Sequence, residues 1–239
     1  MDALLPLLFV GGLILVAVFA YLGHLQAKRR REEMAALAQS RGWTWTARDD
    51  RWASAFDGRP FGLGHSRRAT NVLQGDHDGR PMVAFDYRYS TTETSSNGKG
   101  GTTTRTVHHP FSVITLRTSA NFPNLEVGPE GFFTRMFDSV TGQDIDFEWE
   151  QFNRDFRVRC PDRKFASDVV HQQMMEFLVP HRDTAWALRG GTLIVARAGQ
   201  HSIAQLDATL AFADGVVDRI PDFVWQQAGV QDPGAGSRG

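Results

Sequence analysis

The sequence predicts an α+β fold in which one N-terminal transmembrane helix precedes a mainly antiparallel sheet packed with several helices. Three observations predict this fold. Residues 3–23 form an uncharged apolar run, strand patterns recur as hairpins, and helical patterns come after the strands instead of alternating with them. The chain has 239 residues, 41% of them hydrophobic, which is enough for one large domain or two small ones with a buried core.

Residues 3–23 predict a membrane-spanning helix. These 21 residues carry no charge, and about 20 apolar residues cross the roughly 30 Å of bilayer hydrocarbon. No basic residue precedes them, whereas Lys28, Arg29, Arg30 and Arg31 follow directly. The positive-inside rule therefore predicts a single-pass protein of the cell membrane, with the N-terminus outside and the C-terminal domain cytoplasmic. Cleavage of this segment as a signal peptide stays open.

The same four basic residues are the candidate membrane-surface site. A basic side chain close to an anionic leaflet gains about 1 kcal/mol. The cluster acts either as a determinant of topology or as a recognition site for anionic lipid headgroups. We expect the lipid bilayer to be a partner through residues 3–23, and a protein or anionic headgroups to be a second partner.

The remaining chain divides into four predicted parts. Residues 1–24 are the transmembrane anchor and residues 25–42 a juxtamembrane helix that Gly42 ends. Residues 43–225 form the α+β domain, with a division into two subdomains near 120–143 left open. Residues 226–239 are a glycine-containing tail that we expect to be disordered.

Within residues 43–225, turn signals and alternation place the elements in order. Asn71 to Tyr89 predict a hairpin about Asp78-Gly79, and the Ser/Thr-rich residues 90–106 predict a mobile loop or an insertion. The elements predicted beyond it are a strand at Val107–Thr118, a helix at Pro129–Val140, a strand with alternating Asp144–Trp149, a hairpin about Gly190-Gly191, and a helix that begins at the capping box Ser202–Gln205 and ends at Pro221.

Three segments resemble a known group of proteins. They are GQDIDFEWEQFNRDFRVR at 142–159, FASDVVHQQMMEFL at 165–178 and DRIPDFVW at 218–225. The chain resembles membrane-anchored proteins of actinobacteria and, more distantly, a bacterial family of single-pass membrane proteins that carry a domain of unknown function. The resemblance spans most of residues 32–225. It implies a membrane anchor followed by one domain, and it implies no catalytic or binding residue.

No local motif in the sequence indicates a cofactor or a metal. The eight histidines form neither HxxxH nor HExxH, and the single Cys160 excludes a cysteine-based zinc site. The formal net charge of −1 does not indicate a nucleic-acid partner. The acidic residues Asp144, Asp146 and Glu148 are better explained as a solvated strand face than as an acid–base pair. Cys160, between Arg159 and Pro161, is better explained as a structural cysteine at a strand end.

Two functions remain after these exclusions. The first is a non-enzymatic binding or scaffolding module at the inner leaflet. The second is a membrane-anchored hydrolase with a non-local His/Asp site around residues 76–109, for which His77, Asp86 and His108 or His109 would have to converge. Whether the protein is an enzyme stays open, and the missing catalytic signature favours the first function.

Overall fold

The structure is a computed structural model that describes residues 4–57, 60–96, 101–129 and 143–229, without the side chains of residues 4–10, 13 and 143. Strands and helices alternate irregularly along this part of the chain. The strands are β1 Thr44–Arg48, β2 His65–His77, β3 Arg80–Ser96, β4 Thr102–Arg117, β5 Leu125–Pro129, β6 Gln143–Asp144, β7 Phe156–Cys160, β8 Thr184–Arg189 and β9 Thr192–Ala198. The helices are α1 Leu4–Ser40, α2 Glu150–Asp155, α3 Arg163–Val169, α4 Gln172–Leu178, α5 Ile203–Val217 and α6 Asp222–Gln227, and a 3₁₀ turn spans Asp50–Ala53.

All the described strands belong to one antiparallel sheet with the order β1-β2-β3-β4-β9-β8-β5-β7-β6. The mixed α+β class and the large antiparallel sheet predicted from the sequence are confirmed. Strands β1 to β4 form one half, and β5 to β7 form the other. The hairpin of β8 and β9, which comes late in the chain, lies between the halves and pairs with both.

The two faces of the sheet bury different kinds of side chain. Alternation along β3 sends Met82 and Ala84 to the face covered by α1 and the C-terminal helices. It sends Phe85 and Tyr87 to the opposite face, which the segment containing Trp52 covers. We call the first the helical face and the second the aromatic face. Tyr89 lies on the aromatic face with Phe85 and Tyr87.

The structure contradicts the predicted location as a single-pass membrane protein. No helix in the described part of the chain is long and apolar enough to cross a membrane. The described side chains of helix α1 include a charged stretch that begins at Lys28, and the same continuous helix extends to Ser40.

Several predicted local elements are confirmed. The turn at Asp78-Gly79 joins β2 to β3, and both residues have the positive φ that this turn needs (50° and 75°). Gly190-Gly191 joins β8 to β9. The capping box at the start of α5 is complete, because Ser202 and Gln205 each bond the backbone N–H of the other.

Two local predictions are wrong. Within residues 90–106, strands β3 and β4 stay paired as far as Ser96 and Thr102, so the predicted mobile loop is largely a two-stranded ribbon. The predicted strand at Asp144–Trp149 contacts β7 only at its start, where Gln143 and Asp144 pair with it and the N–H of Ile145 donates to the carbonyl of Val158 (2.9 Å). The Asn153 side chain holds the backbone of Phe147 instead, accepting from its N–H (3.0 Å) and donating to its carbonyl (2.7 Å). The predicted helix at Pro129–Val140, apart from Pro129 in β5, lies outside the described residues, as does the predicted tail beyond residue 229.

Candidate functional site

A buried carboxylate, Asp86, fixes helix α1 to the sheet. Its side chain is 3% exposed and lies on the helical face of β3. Arg30 of α1 donates to it from Nη2 (2.8 Å), and Asn71 donates from Nδ2 (2.8 Å). The backbone N–H of His201 also donates to Asp86 (3.2 Å), and the Arg30 Nε donates to the His201 carbonyl (2.7 Å). A buried charge with this many partners is a structural centre that joins α1, β2, β3 and the start of α5.

The His201 ring lies inside the same centre and is uncharged at neutral pH. Burial lowers the pKa of His201 to about 4, against the attraction of the Asp86 carboxylate. The ring Nε2 is 3.4 Å from the carbonyl oxygen of Val113, whereas Nδ1 is buried with no hydrogen-bond partner among the described residues. A neutral imidazole beside the Arg30–Asp86 pair adds no second positive charge to the centre.

His77 forms a separate polar contact at the far end of the β2–β3 hairpin. Its Nε2 lies 2.8 Å from Oδ2 of Asp214 on α5, and this hydrogen bond raises the pKa of His77. Asp78 brings a third group close, so that single atoms of His77, Asp78 and Asp214 lie within 4.8 Å of one another. The short His77–Asp214 contact is explained by an ion pair between the hairpin and the helix.

The residues of the hydrolase hypothesis do not converge. His77 pairs with Arg80 at one end of β3, whereas His108 pairs with Ser90 near the other. Ten residues separate these positions, which is roughly 33 Å along a strand at about 3.3 Å per residue. Asp86 lies between them, and its carboxylate forms an ion pair with Arg30. His108 and His109 lie on opposite faces, bonded to Ser90 and Thr91 respectively (2.9 and 2.8 Å).

The four basic residues predicted to form a membrane-surface site have unequal environments. Arg30 is taken into the ion pair with Asp86. Lys28, Arg29 and Arg31 are exposed, and Lys28 lies 3.8 Å from Glu32 one turn along the helix. The sequence did not separate Arg30 from its neighbours because its partner is 56 residues away.

The most developed candidate ligand site is an open cleft of about 590 Å³ on the aromatic face. We call it the arginine cleft. One wall carries Trp52 and Phe56, whose rings are stacked with centroids 6.2 Å apart. The polar groups of its lining come from separate parts of the chain and are Asp57, Thr115, Arg117, Asn124, Arg189 and Thr192. A volume of this size and a mixture of aromatic and convergent polar groups are typical of small-ligand sites.

The two arginines of this cleft differ in their freedom to bind a ligand. Arg189 forms an ion pair with Glu126, whose side chain is 1% exposed, and burial lowers the pKa of Arg189 against the attraction of Asp57. Arg117 is exposed and has no ion-pair partner among the described residues. Arg117 and the Asn124 amide can therefore donate hydrogen bonds to a ligand, and the Asp57 carboxylate can accept them.

A second cleft, of about 680 Å³, lies where β9 ends beside β4. We call it the histidine cleft. Tyr89 stacks on His109, with ring centroids 4.6 Å apart, and on Phe111 at 5.9 Å. Leu63 and Pro129 add apolar walls. Its charged residues are already paired with neighbours outside the lining, Arg182 with Asp155 and Asp183 with Arg197. This cleft therefore suits an apolar group better than an ion.

The remaining predicted polar features are structural. Asp144 accepts hydrogen bonds from Arg157 (2.9 Å) and Arg159 (2.7 Å), which agrees with the solvated acidic face expected from the sequence. Cys160 ends β7, is 3% exposed and has a pKa that burial raises. A raised pKa leaves little thiolate at neutral pH, as expected for a structural cysteine.

Sequence reasoning missed the arginine cleft because no local pattern marks it. Its polar residues lie after the 3₁₀ turn, at the end of β4, before β5 and on either side of the β8–β9 turn, and the tertiary fold brings them together. The one local signal was the Gly190-Gly191 turn, which places Arg189 and Thr192 as a cross-strand pair.

Comparisons with known proteins support the fold alone. No family model matches the chain, and no curated protein matches it. Among solved structures, the crystal structure of the mycobacterial trehalose monomycolate transport factor A, TtfA, is similar with a TM-score of 0.58 and 14% sequence identity. The likeness covers 81% of this chain and 95% of that chain.

Proposed function

We propose that this protein is a non-enzymatic binding module, an accessory factor that holds a ligand with a hydroxyl-rich, sugar-like head in the arginine cleft. The observation that carries the proposal is the combination of the Trp52–Phe56 wall with Arg117 and Asn124 in one open cleft, since neither of these two side chains is paired with any residue that the structure describes. Sugar rings present C–H groups that favour an aromatic surface and hydroxyls that need both donors and acceptors.

The composition of the lining supports binding over catalysis. Histidine, cysteine and lysine do not occur among the described residues that line the arginine cleft. The hydroxyl of Thr115 donates its proton to the carbonyl of Val83 (3.2 Å), so this proton is directed to the backbone and not to a side-chain base. The polar side chains of the arginine cleft are of the kinds that orient a ligand by hydrogen bonds.

The fold likeness adds a ligand class to test. The similar structure is named for the transport of trehalose monomycolate, a sugar ester. At 14% identity that name does not transfer by similarity. The name does suggest trehalose as a probe, because trehalose is a hydroxyl-rich disaccharide of a size that such a cleft admits.

The test is to titrate the full chain separately with trehalose, a short-chain trehalose 6-monoester and maltose. Tryptophan fluorescence and calorimetry measure the binding. We expect saturable binding by at least one trehalose probe, and a fluorescence change that Trp52→Phe removes. Arg117→Ala and Asn124→Ala should each weaken binding about tenfold, because each removes roughly 1–1.5 kcal/mol of hydrogen bonding.

The matched control is Arg105→Ala, which removes an exposed arginine from the far ribbon of β3 and β4. It should leave the affinity unchanged. The proposal is wrong if no probe saturates by about 10 mM, which corresponds to less than 3 kcal/mol of binding. It is equally wrong if Arg117→Ala and Arg105→Ala bind alike.

A further inference from the structure

Three side chains that are able to hold a metal ion meet where the β2–β3 hairpin contacts α5. Single ligand atoms of His77, Asp78 and Asp214 lie within 4.8 Å of one another. His77 ends β2 and Asp78 begins the turn, whereas Asp214 lies on α5, 137 residues from His77. The hydrolase hypothesis placed His77 with Asp86 and His108, whereas the fold places it between two other carboxylates.

Only one oxygen of Asp214 takes part in its ion pair with His77. The Oδ2 atom accepts from Nε2 of His77 (2.8 Å). The Oδ1 atom is buried and has no hydrogen-bond partner among the described residues. Buried carboxylate oxygens are normally satisfied by donors or by a metal ion, because leaving one unpaired is costly. The ion pair with a single imidazole therefore does not account for both oxygens of Asp214.

The charges around His77 favour a divalent cation. In the described part of the chain, the charges that act on the His77 ring are those of Asp214, Asp78 and Arg41. Arg41 forms an ion pair with Asp207 (2.7 Å), so its own charge is compensated. With a neutral imidazole, the group of three carries the two negative charges of its carboxylates. A divalent ion would neutralise both of them.

The group is open to solvent and close to the geometry of a metal site. The side chains of His77 and Asp214 are 19% and 26% exposed, and Asp78 is exposed in the turn. Ligand atoms about 2.1 Å from a tetrahedral zinc ion lie roughly 3.4 Å from one another. The separations here are at most 4.8 Å. Rotation of the exposed Asp78 side chain is therefore enough to close the group around an ion.

We propose that His77, Asp78 and Asp214 bind a divalent transition-metal ion of the zinc class, and that this ion fixes the β2–β3 hairpin to α5. An imidazole nitrogen suits such ions, whereas Ca²⁺ and Mg²⁺ prefer oxygen ligands. The ion takes the place of the proton between His77 and Asp214, and the proton leaves to solvent. The site shares no residue with the arginine cleft and does not depend on the function proposed for it.

The test is a calorimetric titration with zinc chloride at neutral pH of the full chain, produced without a histidine tag and stripped of metal with EDTA. We expect one equivalent of Zn²⁺ to bind with a Kd below about 10 µM. Mg²⁺ at about 1 mM should not compete, because it prefers oxygen ligands and gives up its waters reluctantly.

Three variants each remove one ligand, namely His77→Gln, Asp78→Asn and Asp214→Asn, and each should raise the Kd at least about tenfold. Asp78→Asn decides the test. Asp78 is exposed, and asparagine tolerates its φ of +50°, so the metal-free fold stays intact. The matched controls His24→Gln and Asp146→Asn remove an exposed histidine and an exposed carboxylate outside the group. They should leave the Kd unchanged.

An ion that joins the hairpin to α5 should also stabilise the fold, because the unfolded chain does not bring the three ligands together. Zn²⁺ at about a hundredfold excess over its Kd should raise the Tm of the wild type by at least about 5 °C. The same concentration should raise the Tm of Asp78→Asn less, whereas the two variants outside the group should respond as the wild type does.

Three results would overturn the proposal. One is titration of the wild type without saturation by about 100 µM Zn²⁺. Another is equal affinity of Asp78→Asn and Asp146→Asn, because the ion would then bind elsewhere on the chain. The third is binding of one equivalent that leaves the Tm of the wild type unchanged, because the ion would then not join the hairpin to α5.

Discussion

At the scale of single residues, Asp86 controls the position of the N-terminal helix. Three groups donate to its carboxylate, and they come from three distant parts of the chain. Asn71 reaches it from a β2 bulge, where its φ is +49°. A positive φ at asparagine is tolerated better than at most residues. The bulge therefore appears in the sequence only as an asparagine within a strand.

Arg30→Ala should destabilise the protein strongly. The variant leaves the buried Asp86 charge without its cation, and breaking a buried pair in this way costs about 3–5 kcal/mol. The measurement is urea unfolding at pH 7. The control is Arg29→Ala, the exposed neighbour, which should change the free energy of unfolding by less than about 0.5 kcal/mol. Equal stability of the two variants would contradict this role for Arg30.

Acid should destabilise the fold through His201. Its pKa is 6.5 in the unfolded chain and about 4 in the folded protein. Between these values the unfolded state binds a proton that the folded state does not, so stability falls as the pH falls. The full effect is about 3 kcal/mol. Urea unfolding from pH 4 to 7 should show this slope, and His201→Gln should flatten it. An unchanged slope in the variant would assign the acid sensitivity to other groups.

His77 should act with the opposite sign. Because Asp214 raises the pKa of His77, the ion pair contributes stability that is fully present below pH 6.5 and is lost as the pH rises through the folded pKa. Urea unfolding from pH 6 to 9 should show stability falling with rising pH in the wild type, and a smaller fall in His77→Gln. A fall of equal size in both proteins would contradict the assignment to His77.

At the scale of elements, the junction between α1 and the sheet depends on a close approach at Gly75. The Trp43 indole lies over this glycine in β2 and donates from Nε1 to the Asp76 carbonyl (2.8 Å). A Cβ at position 75 would lie 2.1 Å from Cδ1 of Trp43. The contact explains why a glycine, which is unfavourable in strands, occurs at this position.

Gly75→Ala should therefore displace Trp43 and cost about 1–3 kcal/mol, the usual range for overpacking. Urea unfolding, with tryptophan fluorescence as the signal, measures both effects. Gly23→Ala is the control, because nothing lies within 4 Å of the Cβ it would add in α1. It should cause no loss of stability. A Gly75→Ala protein as stable as the wild type would show that Trp43 can move without cost.

Elements with a local cause were predictable, and those with a distant cause were not. The hairpin at Asp78-Gly79, the hairpin at Gly190-Gly191 and the capping box at Ser202 each depend on residues within four positions of one another. The ribbon formed by residues 90–96 and 102–106 is polar on both faces, so no alternation marks it, and its pairing follows from the register set farther along the hairpin.

At the scale of the whole molecule, the single cysteine reports on global unfolding. Cys160 is buried in the core of the helical face, and burial raises the pKa of its thiol. In the folded protein we expect it to resist labelling by a thiol-specific reagent, and in urea to react at the rate of unfolding. The thiol introduced by Ser95→Cys on the exposed ribbon is the control and should react at once. Equally fast labelling of both would contradict the burial of Cys160.

The candidate sites belong to this largest scale, which is why sequence reasoning did not find them. The hydrolase hypothesis joined His77, Asp86 and His108 because they are close in sequence, yet the extended strand β3 keeps them apart, with His77 opposite Arg80 and His108 opposite Ser90. The arginine cleft joins Trp52, Arg117 and Arg189, which are far apart in the sequence. Their proximity follows from the strand order alone, and strand order is not encoded by any local pattern.

The late position of the β8–β9 hairpin has a consequence for synthesis on the ribosome. Strands β1 to β4 and β5 to β7 emerge first, and each group exposes an unpaired inner edge until residues 184–198 arrive between them. At roughly 5–20 residues per second, the nascent chain waits several seconds after β4 is complete before its outer edge is paired. During that interval, the β4 edge of the first four strands is free along its whole length and is open to pairing by another chain.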